Sequence, residues 1–158
     1  MFETSDEPKG IGGWLFFLCL ILTILAPAVT LISMVVGLSD GLRFMGVVPG
    51  WTGFLVTDTV LSLAVVAFSM TAGIALWRTR PNGARLATAA LGVIILYNLA
   101  ALVMTKLFPL PNEVESEMLK ELTPSSLRGV VVSLIWLVYL KKSRRVRNTF
   151  QVAPNNPG

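Results

Sequence analysis

Histidine is absent from the 158 residues, and cysteine occurs once, as Cys19. A lone cysteine excludes a disulfide within the chain. Without histidine there is no zinc constellation, no haem ligand of the usual kind and no Cys-His nucleophile. Charge is almost as scarce: 14% of residues are charged, against roughly a quarter in an ordinary globular protein. With 54% apolar residues and a mean hydropathy of +0.71, the chain has too little polar surface to cover a water-soluble core. What it has instead is long apolar runs, and about 20 such residues cross a bilayer core of roughly 30 Å.

Three runs meet that length, and boundary signals extend a fourth to it. The first, 14–37, contains no charge, and the second, 54–77, contains only Asp58. The third, 86–108, follows Arg85 and contains Lys106 near its end. The apolar stretch of the fourth, 130–140, is short, but Thr123 followed by Pro124 reads as an N-cap with proline at the first helical position. That boundary predicts a helix over 124–146. The fold class expected is an all-α integral membrane protein with four transmembrane helices. It forms a single membrane domain over 14–150, between an N-terminal segment, 1–13, and a flexible tail, 151–158.

Charge asymmetry orients the spans. The linker "RTRPNGAR" carries Arg78, Arg80 and Arg85 without an acid, and the segment after span four carries Lys141, Lys142, Arg144, Arg145 and Arg147. The other two connections hold Asp40 with Arg43, and four glutamates with one lysine. The positive-inside rule places both termini in the cytoplasm. The five terminal cations then read as orientation anchors with affinity for anionic lipid heads, worth about 1 kcal/mol per cation near the surface. The pI of 9.6 is topology rather than a nucleic-acid interface.

The "APA" at 26–28 superficially resembles a signal-peptidase site, but Pro27 lies within it and the apolar run continues past it to Val36. Cys19 follows "FFL", which lacks the small residues of a lipoprotein site, and reads as an apolar packing residue. Between spans three and four, Asn112 and Glu115 have the spacing of a capping box. Val114, Met118, Leu119 and Leu122 fall on one helical face. These signals predict a short amphipathic helix over 112–122, on the outer membrane surface or lidding the bundle, with its acids on a solvated face.

The membrane-embedded polar candidates are Asp58, Arg128 and Asn98. Asp58 and Arg128 both sit near the outer ends of helices running the same way. They could pair within the bundle, with Thr57, Thr59 and Arg43 nearby, or Arg128 could snorkel to lipid phosphates while Asp58 faces water. Asn98 is expected to hydrogen-bond a neighbouring helix. Small residues on span two (Ser62, Ala67, Ser69, Ala72, Gly73) and span three (Ala87, Ala90, Ala100, Ala101) permit close helix approach, within one bundle or across a homo-oligomer face. Trp136 and Tyr139 read as an interfacial belt at the inner end of span four.

The opening "GIGGWLFF" (10–17), with Pro27 in the first helix, and the closing "SLRGVVVSLIWLVYLKKSRRVRNTF" (126–150) resemble an uncharacterised family of small four-helix bacterial inner-membrane proteins, domain of unknown function 2569. The closing pattern is the more specific, met here by Arg128, Trp136, Tyr139, Lys142, Ser143, Arg145, Val146, Thr149 and Phe150. Leu137 and Val138 stand where the pattern has Ile-Pro, so the likeness implies no kink at that point. The resemblance implies the topology and a bacterial membrane and supplies no activity. Orientation alone does not require Thr149 and Phe150, so Phe150 is expected to dock under the bundle or, with Trp136 and Tyr139, onto a partner.

No nucleophile-base pair or metal set is visible, so no enzyme and no cofactor is expected. The favoured reading is a non-catalytic accessory, stabilising or assembly subunit of a larger membrane complex, with a membrane-protein partner or homo-oligomer around it. The alternative is a small transporter or channel gated by Asp58 and Arg128.

Overall fold

The computed structural model describes residues 12–150, apart from the side chains of Arg145 and Asn148. The expectations for the N-terminal segment up to residue 11, for the tail 151–158 and for the Arg145 side chain lie outside the described residues. All regular structure within them is helical. The first span combines α1 (Trp14–Leu20), a π-helical turn (Ile21–Leu25), α2 (Ala26–Gly41) and a 3-10 turn (Leu42–Phe44). α3 (Trp51–Trp77), α4 (Gly83–Leu107) and α5 (Asn112–Lys142) follow, and a short α6 (Arg144–Phe150) ends the described chain. Four helices, of 31, 27, 25 and 31 residues, are long and apolar enough to cross a membrane. The protein is a multi-pass membrane protein whose apolar exterior contacts lipid.

Successive spans pack on one another: the first on α3, α3 on α4, and α4 on α5. The short connections make neighbours antiparallel and define two ends. At the basic end, Thr79 turns the chain with a φ of 45°, and Gly83 starts α4 so close beneath α3 that a Cβ there would lie 2.9 Å from the Ala75 carbonyl oxygen. At the acidic end, Gly50 (φ 76°) abuts Pro109, where a Cβ would lie 2.9 Å from the ring. A left-handed glycine with no side chain is what that approach requires. Trp51 Nε1 donates to the Gly41 carbonyl at 2.8 Å and ties the first connection to α3.

The π-helical turn lies directly ahead of Pro27. Proline has no N–H, and its ring crowds the carbonyl four residues back, so the chain widens there rather than closing an ordinary turn. Neighbouring groups bind the turn: Ser69 Oγ of α3 donates to the Leu22 carbonyl (2.9 Å), and the Thr23 hydroxyl, which donates to the Cys19 carbonyl (2.7 Å), accepts from Trp77 Nε1 (3.1 Å). Gly73 faces the same turn, and a Cβ there would stand 3.0 Å from the Thr23 backbone nitrogen. The Ser69 and Gly73 pair thus fits α3 against the irregular turn of span one.

The fourth span corrects the sequence reading at both ends. Residues 112–122 are helical and their apolar face is half-buried, but they run without a break into the span, so no separate amphipathic helix exists. Pro124 lies inside α5 rather than at its start. The φ that suits proline at a first turn also suits a helix interior. Ser125 Oγ donates to the Leu122 carbonyl at 3.0 Å beside the missing proline N–H. Glu115 forms no capping box; its carboxylate pairs with Lys106 and staples α5 to the end of α4. At the other end the helix stops at Ser143, whose ψ of 118° breaks it. The Ser143 hydroxyl accepts from the Val146 N–H (3.4 Å), an N-cap for α6.

Candidate functional site

Asp58 stands in the second turn of α3, roughly 10 Å from its first residue at 1.5 Å per residue, and is half-buried. Its partner is not Arg128. Tyr97 Oη of α4 donates to Asp58 Oδ1 at 2.9 Å, and Ser62 Oγ lies 2.8 Å from the same Oη. A phenol has one proton, so while Tyr97 donates to Asp58 the Ser62 hydroxyl is the donor to Tyr97. The three groups form a directed chain running from a half-buried carboxylate to a buried serine. Among the described residues every fully enclosed side-chain polar atom has a partner. Asp58 Oδ2 is therefore not fully enclosed.

The sequence reading missed Tyr97, and it took Ser62 for a packing residue. The signal was available in Ser62, four residues after Asp58 and so on the same helical face. Thr57 and Thr59 do not join the site: each hydroxyl donates back within α3, to the carbonyls of Gly53 (2.8 Å) and Leu55 (2.7 Å).

Arg128 is exposed, and the ion pairs among the described residues are Lys106 with Glu115 and Lys120 with Glu117. The separation of Asp58 from Arg128 has a structural cause. Tyr97 reaches across to α3, while the next residue, Asn98, faces α5, where a Cβ on Gly129 would meet its amide at 2.7 Å. α3 and α5 therefore pack on different faces of α4, and the two charges form no ion pair. The same contacts place Asp58 and Arg128 at nearly equal depth, since each is fixed against one of two adjacent residues of α4. Asn98 donates to the Ile94 carbonyl of its own helix (2.8 Å), not to a neighbouring helix as expected. Its side chain fills the notch left by Gly129.

Toward the basic end the packing is apolar. Leu15, Leu18, Cys19 and Leu22 of span one meet Leu76, Ala87, Leu91, Trp136 and Leu140 in one buried cluster. Trp136 is 7% exposed, so it belongs to the core and not to an interfacial belt. Its ring packs edge-on against Tyr139 (5.7 Å) and tilted against Trp14 (6.1 Å). Trp14, 71% exposed, and Trp77, 37% exposed, are the indoles at this end that face outward. At the acidic end, Trp51 and the first turns of α5 enclose an open groove of about 570 Å³, lined by Glu113, Val114, Glu117, Met118, Lys120 and Glu121.

The closing segment now has a structural meaning. Val146 and Phe150, one helical turn apart, are buried in the same cluster as Trp136, and Phe150 seats against Gly83. A family model described as a protein of unknown function, DUF2569, matches residues 8–151. The chain belongs to this family. No curated protein and no solved structure shows a significant match.

In this DUF2569 protein several residues of the closing pattern serve the fold. Ser143 caps α6, while Val146 and Phe150 seal the bundle. Docking of Phe150 and Trp136 onto a partner is therefore not open to them, because both are buried in their own chain; Tyr139 is half-buried. Lys141, Lys142, Arg144 and Arg147 point outward from the same segment.

Proposed function

We propose that this DUF2569 protein is a non-catalytic membrane subunit that stabilises or helps assemble a larger complex in a bacterial inner membrane, with both termini in the cytoplasm. The observation that carries the reading is how its intramembrane polar groups are used. Ser69, Thr23, Trp77, Tyr97, Ser62 and Asn98 bind this chain's own helices, as groups do whose work is to hold a bundle together. The orientation rests on the cations: Arg78, Arg80, Arg85, Lys141, Lys142, Arg144 and Arg147 gather at one end, the end the positive-inside rule assigns to the cytoplasm. There they would also meet anionic lipid heads.

The transporter reading has one observation in its favour, the carboxylate of Asp58 inside a span. Against it, the hydrogen-bonded chain from Asp58 stops at Ser62, and the next interhelical polar bond, at Ser69, lies about two turns further along α3. The test is gentle extraction of the endogenous protein with native-mass analysis, paired with deletion of its gene. A subunit role predicts one membrane partner at fixed stoichiometry whose abundance falls in the deletion strain. An unpartnered protein, together with ion or solute flux in proteoliposomes that Asp58→Asn abolishes, would replace this reading with the transporter.

A further inference from the structure

We propose that Asp58 of one chain pairs inside the membrane with Arg128 of a second copy of the same chain. Three observations lead there. Asp58, half-buried, has one oxygen bound by the neutral phenol of Tyr97 and one that is not fully enclosed. Arg128 projects from α5 between exposed Leu127 and Val131, on a face made for lipid or for another helix. And α3 and α5 pack on different faces of α4, with no ion pair between Asp58 and Arg128 within one chain.

A charge within a span is costly unless paired or wetted, and here an acid and a base are each left without an ionic partner on the two flanks of one helix. Copies of a membrane protein are related by rotation about an axis along the membrane normal, which preserves depth, so two residues can meet across such an interface only at the same level. The contacts of Tyr97 with Asp58 and of Asn98 with Gly129 place Asp58 and Arg128 at that common level. In a two-fold dimer the pair occurs twice, Asp58 to Arg128 and the reverse; in a larger ring it occurs once per interface. Both arrangements use charges of complementary sign and consume both unpaired groups. The inference concerns contacts between copies of this chain and holds with or without the larger partner proposed above.

The test uses the full chain in its own membrane, with Cys19 replaced by alanine. Two differently tagged chains, Asp58→Cys and Arg128→Cys, are co-expressed, and their thiols are oxidised to a disulfide with copper–phenanthroline and oxygen as the electron acceptor. The expected result is a two-tag dimer at least about tenfold more abundant than the cross-linked dimer from either chain alone. A mixture that gives no two-tag dimer overturns the proposal, even where a foreign partner co-purifies.

Charge reversal supplies the second arm. Asp58→Arg and Arg128→Asp should each weaken self-association in nanodiscs roughly tenfold, as expected for a close pair. The double reversal should restore it while melting, in monomeric form, no higher than Asp58→Arg alone, since both lose the Tyr97 bond to Asp58. An effect of Asp58→Arg alone, with Arg128→Asp silent, would assign Arg128 to lipid phosphates and contradict the pair. So would a double reversal that melts as Asp58→Arg does and stays monomeric.

Discussion

The two ends of this bundle are built differently. At the basic end, leucines from span one, alanines and Leu91 from α4, Trp136 and Leu140 from α5, and Val146 and Phe150 from α6 close into one apolar cluster. At the acidic end the helices are joined by discrete devices: the Trp51 bond to Gly41, the edge-on contact of Phe54 with Phe108 at 6.0 Å, and the Lys106 pair with Glu115. The closed end carries stability through shape, whereas the other end leaves an open groove and, among the described residues, several charged side chains without ionic partners, Asp58 and Arg128 among them. Apolar packing is concentrated at the end where α1 begins and α6 closes, and charged side chains without ionic partners among the described residues are found opposite.

That contrast can be broken most forcefully at Gly73. In Gly73→Val the new side chain meets the Thr23 backbone, which cannot swing aside. We expect a loss of about 3 kcal/mol or failure to fold, the upper range of overpacking, read by unfolding in mixed micelles. Next is Phe150→Ala, which empties the seat against Gly83 and should cost about 3 kcal/mol, the low end for a buried phenylalanine. Truncation after Arg147 should cost at least as much. Tyr97→Phe removes both interhelical bonds of the Tyr97 hydroxyl, to Asp58 and to Ser62, and should cost about 1 kcal/mol while leaving the fold intact. The smallest effect is expected at the acidic end itself: Lys106→Gln removes a surface ion pair and should change stability by less than about 1 kcal/mol. If Lys106→Gln destabilises as much as Phe150→Ala, the two ends do not differ as described.

Much of this was legible before any coordinates. Run lengths and caps locate four spans because lipid tolerates little else, and the clustered arginines mark one end. What could not be read depends on geometry that composition does not encode. Pro124 satisfies a helix start and a helix interior alike, so the boundary was misplaced by a full amphipathic segment. Asp58 and Arg128 looked like partners because depth along a helix can be counted from sequence, while the face of α4 on which each helix packs cannot. Phe150 could have faced inward or outward; the break at Ser143 decides it, and a serine in a basic run gives little warning that it will cap a new helix. Within the site, Ser62 was readable by its spacing from Asp58, but Tyr97 lies on another helix and carries no such signal.

The central claim is that this chain closes one end on itself and keeps the charges of the other for assembly. The most direct measurement is the native mass of the protein extracted from its own membrane in lipid nanodiscs, for the unaltered chain and for Asp58→Asn. The account predicts a species heavier than one 17.1 kDa chain that falls toward a single chain in the variant. A single chain in both samples would contradict it.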